Sequence, residues 1–181
     1  LDLPLLSGDE DPVAPYLAVA RSPWSGPVSV YSANQEHGYR LDSEVRRPAT
    51  LGTTRDPLLR AESGIWSNAT IRVRLNVGRL ESRSEADVIS GANVAALQFG
   101  GVGDWEIFQF QRAELVGPRE YRLGNFLRGQ AGTDGVVPDV WPAGTRFVFL
   151  NGAPTQIRLA ASARGTERHY RIGPSNRPFD D

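Results

Sequence analysis

Two histidines, His37 and His169, are the only imidazoles in the 181 residues, and no G-x-S-x-G elbow accompanies either. A serine nucleophile needs a sharp turn and a base beside it, so no hydrolase triad is legible. His37 falls in the polar loop Ser32–Gly38 and His169 in a charged run, and both positions suit contact with solvent. Two isolated imidazoles do not make a histidine metal site. Asp9-Glu10-Asp11 offers hard oxygen donors to a calcium ion, but it lacks the spaced ligands and glycine of an EF-hand loop. It reads as a solvated acidic turn ahead of Pro12. Glu106, Glu114 and Asp104 have the residue type of glycosidase carboxylates, which act as a pair several ångströms apart across a sugar. Nothing in their spacing sets a pair in a cleft.

Other chemistries are excluded by composition. Without cysteine there is no disulfide framework, thiolate metal site or cysteine nucleophile. Gly100-Gly101-Val102-Gly103 has neither the third glycine nor the lysine of a phosphate-cradling loop, and a hairpin turn is the expected reading. No catalytic, metal-binding or cofactor-binding set is therefore expected. Twenty basic residues, all arginine, face twenty-one acidic ones for a net charge of -1, which excludes nucleic-acid binding driven by bulk charge. No apolar run approaches the ~18 residues that a membrane-spanning helix needs. Trp24, Trp66, Trp105 and Trp141 have faces suited to sugar rings, although packing is the default for indoles in a β protein. Trp66 and Trp105 are expected to be buried. Trp24 and Trp141 are expected in loops, without sharing a flat surface.

The elements that position these residues are short. Nineteen glycines and thirteen prolines punctuate runs that alternate apolar and polar residues. Ile71, Val73, Leu75 and Val77 oppose Arg72, Arg74 and Asn76, while Tyr39, Leu41, Ser43 and Val45 oppose Arg40, Asp42, Glu44 and Arg46. Further strands are expected over Tyr16–Arg21, Val28–Ser32, Val94–Phe99, Trp105–Gln111, Arg119–Leu127, Thr145–Leu150 and Gln156–Ala160. Arg146–Leu150 is apolar on both faces and reads as a central strand. The apolar phase slips between Ile107 and Phe108, the mark of a bulge or of burial on both sides. A capping box with Ser82 as N-cap and Glu85 at N3 predicts one short helix near residues 83–90, stopped by Gly91. A weaker helical pattern covers Asp56–Ser63. Arg128-Gly129-Gln130-Ala131-Gly132-Thr133-Asp134 reads as a strand entering a rigid turn, with Thr133 and Asp134 bonding the local backbone. The expected fold is mainly β, an antiparallel β-sandwich or barrel-like arrangement. Its blocks are residues 1–62 and 63–181, joined near Arg60–Asn68 and ending in connectors at Leu1–Pro15 and Gly173–Asp181. The missing methionine leads to the expectation of a segment from a longer polypeptide.

The run Gly78-Arg79-Leu80-Glu81-Ser82-Arg83-Ser84-Glu85-Ala86-Asp87 with Gly91-Ala92-Asn93 resembles a signature of large tail-tip proteins of gene transfer agents and related siphophages. So do Trp105–Val116, Phe126–Asp134, the opening Leu3–Pro12 and Tyr39–Leu41. The resemblance spans most of residues 3–179. It implies the C-terminal portion of the tail-tip or baseplate hub protein, also called the host-specificity or megatron protein. It marks Ser82, Glu85, Gly91, Trp105, Arg128, Gly129, Gly132, Thr133 and Asp134 as motif residues with structural roles, and it supplies no catalytic residue. It further implies a non-catalytic part in assembly, channel closure or contact with the host envelope. Other tail and baseplate proteins would be the partners, with a homotrimer around the tail axis and a host surface glycan or receptor as target. The place would be the tail tip of a virion or phage-like particle produced in the bacterial cytoplasm. A glycoside-hydrolase-like barrel belongs to another region of such proteins. The rival readings are a carbohydrate-binding module for capsule or cell-wall glycan and a glycoside-hydrolase-associated domain.

Overall fold

Short strands dominate, as the spacing of glycine and proline dictates. The computed structural model describes residues 1–6, 8–100, 104–163 and 165–177. In chain order the elements are β1 (Tyr16–Leu17), β2 (Val28–Ala33), β3 (Arg40–Val45), β4 (Leu51–Thr54), β5 (Leu58–Leu59), β6 (Ser67–Val77) and α1 (Glu85–Ile89). They continue with β7 (Val94–Gln98), β8 (Glu106–Gly117), β9 (Glu120–Gln130), β10 (Val140–Trp141), β11 (Arg146–Phe149), β12 (Thr155–Gln156) and β13 (His169–Pro174). Gly101–Gly103, where the hairpin turn is expected, lie outside the described residues.

Six strands close into an antiparallel barrel in the order β11-β4-β6-β9-β8-β7. Closure leaves no barrel edge open to pair with another chain. Three smaller sheets flank it: β13-β2-β3, the ribbon β1-β12 and the ribbon β10-β5. The fold is thus mainly β and a barrel rather than a sandwich. Strand β4 pairs with β6 and β11, and β13 pairs with β2, so early and late parts of the chain share sheets.

Alternation explains which side chains fill the barrel. Along β6 Ile71, Val73 and Leu75 are buried while Arg72, Arg74 and Asn76 are exposed. Leu97, Phe108, Phe110, Leu123, Phe126 and Phe147 join them in one cluster. Phe108 lies at its centre, with ring centroids 5.8 Å from Phe126, 6.2 Å from Phe147 and 6.4 Å from Phe110. Truncating such a ring to alanine costs about 3–5 kcal/mol through lost transfer energy and the cavity left behind. A second cluster (Ala96, Trp105, Ile107 and Val148) coats the outside of the same strands and is covered by Leu1, Leu3 and Ala18. Burial on both faces accounts for the unbroken apolar run of β11, which pairs with β4 on one side and β7 on the other. The phase slip in β8 is a register shift between Ile107 and Gln109.

The hairpin joining β8 and β9 turns through Pro118 and Arg119, with Arg119 at φ 58°. Proline at the first central position and positive φ at the second make this a type II turn. Three expectations are corrected. Asp56–Ser63 is not helical, because Leu58 and Leu59 are extended and pair with Trp141 and Val140. In β3, Val45 is buried but Leu41 is 60% exposed, since a bulge opposite Val30 and Tyr31 breaks the alternation. Gly173 and Pro174 close β13 rather than opening a connector.

Candidate functional site

Two charged residues sit inside apolar strand ends. Glu106 opens β8 and Arg128 lies near the end of β9, and both side chains are 0% exposed. Antiparallel pairing of β8 with β9 brings them together across the ladder. The Glu106 carboxylate accepts from Arg128 Nε at 2.5 Å and Nη2 at 2.7 Å, a fork-to-fork pairing. It also accepts from the Trp141 indole Nε1 at 2.5 Å and from the Gly129 backbone N–H at 3.3 Å. Arg128 Nη1 donates to the Leu59 carbonyl at 2.9 Å. One ion pair thereby fastens β8, β9, β10 and β5. An ionised pair is costly to bury, and only a full set of hydrogen bonds makes that tolerable.

The turn after β9 wraps this pair. Gly129 has φ 59°, Ala131 53° and Gly132 74°, all in the left-handed region. A Cβ on Gly129 would lie 2.8 Å from both the Cα and the Cβ of Asp134, so only glycine fits there. The Thr133 hydroxyl donates to the Gln130 carbonyl at 2.7 Å and accepts from Ile107 N–H at 2.9 Å, which ties the turn back to β8. The Asp134 carbonyl accepts from Arg60 Nη2 at 3.4 Å. Local backbone bonding by Thr133 agrees with the sequence reading, and Asp134 contributes through its carbonyl.

The other motif residues lie apart from this site. The helix cap is two residues later than expected: Ser84 is the N-cap and Asp87 its N3 partner, with Ser84 Oγ accepting from Asp87 N–H at 3.1 Å. Hydrogen bonds from Ser84 hold the Asp87 carboxyl below its ordinary value. Ser82 instead braces the outer edge of β8, where its hydroxyl accepts from Ala113 N–H at 2.9 Å and donates to Ala113 O at 3.3 Å. A serine followed three residues later by an acid occurs in both frames, Ser82 with Glu85 and Ser84 with Asp87, and β8 claims Ser82. Glu85 is the exposed first residue of α1, and Gly91 at φ 98° follows the helix end as expected.

Trp105 and Trp141 are each 6% exposed. Burial of Trp105 matches the expectation. Trp141 lies in β10 rather than a loop, because it pairs with Leu58 of β5, and its indole donates to Glu106. Trp66 is only half-buried, and Trp24 packs on the separate cluster of Val30, Val45 and Ile157. No shared indole surface forms from Trp24 and Trp141. Glu114 is exposed and paired with Arg122 at 3.1 Å. Among the described residues no three His, Asp or Glu side chains group to hold a metal, and no helix is long and apolar enough to cross a membrane. Sequence reasoning missed the roles of Glu106 and Trp141. The available signal was a lone glutamate in Trp105–Phe108 and a lone arginine in Phe126–Gly129, since charges in apolar strands are rarely buried unpaired.

A closed six-stranded antiparallel barrel, braced inside by a hydrogen-bonded ion pair, defines a small β-barrel domain. The chain belongs to the family described as Rcc01698-like, C-terminal, which matches residues 49–148, more than half of its length. That family name is associated with gene transfer agents. The match runs from just before β4 into β11 and so takes in the barrel, leaving out the β13-β2-β3 sheet. No curated protein matches the chain.

Proposed function

We propose that the chain is a non-catalytic structural module of a phage-like tail tip or baseplate, from the C-terminal portion of a gene-transfer-agent or siphophage hub protein. Family membership supports the setting. The observation that carries the structural role is apolar surface presented in register. Leu59 and Val140, partners across the β10-β5 ribbon, are 66% and 43% exposed. The β8–β9 hairpin adds Leu115 at 63% exposure. Such side chains suit burial against neighbouring subunits, where packed apolar area governs association. The interior carboxylate that resembles a catalytic acid is held by Arg128, Trp141 and Gly129, which leaves it no access to substrate. Partners in this reading are other tail and baseplate proteins and two further copies around the tail axis.

Cryo-electron microscopy of the particle tests this directly. Three copies of the barrel around the tail axis, with Leu59 and Val140 covered by a neighbour, are the expected density. Turnover of peptidoglycan or capsule by the isolated chain, abolished by Glu114→Gln, would replace the structural reading with an enzymatic one.

A further inference from the structure

Away from the barrel, the β13-β2-β3 sheet carries a second polar site. Ser32 and Asn34 come from the end of β2 and the loop after it, Gln35 and His37 from that loop, Arg40 from the start of β3, and Arg168 from the residue before β13. Pairing of His169 with Ala33 and of Ser32 with Arg40 draws these segments to one end of the sheet. Together they line a pocket of about 540 Å³. That lies within the range of small-molecule sites, about 300–1,000 Å³, and exceeds what a bare oxyanion needs.

The wall is cationic and hydrogen-bonding. Arg168 is held as part of the pocket by donating from Nη1 to Asn34 Oδ1 at 2.9 Å and from Nη2 to Ser32 Oγ at 2.7 Å, and both of these acceptors are neutral. Its Nε is buried without a hydrogen-bond partner. Arg40 is exposed and has no ion-pair partner among the described residues. Among the described residues no carboxylate lines the pocket. Asp42 in β3 feels the charge of both Arg168 and Arg158, and burial pushes its carboxyl above the ordinary value. Glu36 and Glu167 are sequence neighbours of the wall residues, and both are exposed outside the lining. Two guanidiniums facing one cavity repel each other unless an anion joins them.

We propose that this pocket binds the acid group of an acidic saccharide, with Arg40 and Arg168 clamping a carboxylate or phosphate. The amides of Asn34 and Gln35 and the imidazole of His37 then meet sugar hydroxyls. Guanidinium forks match planar oxyanions, and amide side chains both donate and accept toward hydroxyl groups. No large apolar side chain lines the wall among the described residues (Ala33 and Gly38 are its small members), so it lacks the anchors that peptide recognition generally uses. The assignment goes beyond the assembly reading and stands without it, because the pocket lies outside the matched barrel.

Titrating the isotopically labelled 181-residue chain with trigalacturonate, glucose 6-phosphate, maltotriose, triglutamate and inorganic phosphate, followed by amide chemical shifts, tests it. Shifts confined to residues 32–40 and 168 with one of the two acidic sugars, and none with maltotriose, are expected. Which acidic sugar binds distinguishes a carboxylate from a phosphate source. Arg40→Gln should weaken that binding about tenfold or more, the cost of a charge-assisted hydrogen bond, while the charge control Arg146→Gln leaves it unchanged. An unchanged amide spectrum for free Arg40→Gln shows that the sheet still folds. Equal binding of maltotriose, tighter binding of triglutamate or bare phosphate, shifts mapping elsewhere, or indifference to Arg40→Gln would each overturn the proposal.

Discussion

Replacing Glu106 by glutamine keeps the shape of the side chain and removes one charge. Arg128 then remains 0% exposed with no anion beside it. The new amide can accept through one oxygen only. In either orientation its NH₂ group meets a guanidinium N–H of Arg128 together with the Gly129 N–H or the Trp141 indole N–H, all of which are donors. Removing one partner of a buried ion pair costs about 3–5 kcal/mol. Domains of this kind are stable by only about 5–15 kcal/mol, so the variant loses about a fifth or more of its stability. At 2–4 °C per kcal/mol for a chain of this length, the melting temperature should fall on the order of 10 °C. Chemical denaturation followed by tryptophan fluorescence reports the same loss, with Trp141 at the site itself. The double variant Glu106→Leu/Arg128→Met should cost less than the sum of the two single variants. It leaves no buried charge and strands the Trp141 and Gly129 N–H groups and the Leu59 carbonyl, about 1–3 kcal/mol each. A Glu106→Gln variant within about 0.5 kcal/mol of the parent would refute the idea that the ion pair braces the barrel.

Gly129→Val should destabilise by about 2–4 kcal/mol, since it combines a φ of 59° with a Cβ 2.8 Å from the Asp134 backbone. Gly132→Val, at φ 74° but in open space, should cost only about 1 kcal/mol, and equal losses in urea melts would contradict the geometry. Ser84→Ala should cost about 1 kcal/mol through loss of the helix cap, with Glu85→Ala close to neutral; the reverse order in thermal melts would restore the earlier frame. Asp56 and Asp42 should have opposite pH signatures. Hydrogen bonds from Arg72 hold the Asp56 carboxyl low, so its contribution is present above about pH 4 and lost as pH falls through its folded value. Burial holds the Asp42 carboxyl high, so its charged form opposes folding at neutral pH and acidification relieves it. Asp56→Asn should therefore lower stability at pH 7 and Asp42→Asn raise it, both differences shrinking toward pH 3, and matching signs across a pH series of melts would disprove the assignment.

Secondary structure is legible in the residues wherever one face of a strand meets the core and the other meets water. The alternation of Ile71, Val73 and Leu75 with arginines is burial written along β6, and the two-sided apolar run of Arg146–Leu150 is a strand paired on both edges. Glycine and proline placed the turns, because positive φ and a fixed φ are local requirements that no distant contact alters. Elements held by distant partners were less legible. Leu58-Leu59 and Val140-Trp141 are two residues each, too short to show any period, and they are strands only because they meet each other from distant parts of the chain. Strand β13 is likewise defined by its ladder with β2. The capping box was ambiguous between Ser82 and Ser84, since either frame satisfies a local rule, and the edge of β8 decided it by taking the Ser82 hydroxyl. Glu106, Arg128 and Trp141 were visible as residue types, but their union depends on register across the β8–β9 ladder and on the fold of β10 over it. A charge in an apolar run says that a partner must exist, and only the tertiary structure says which one.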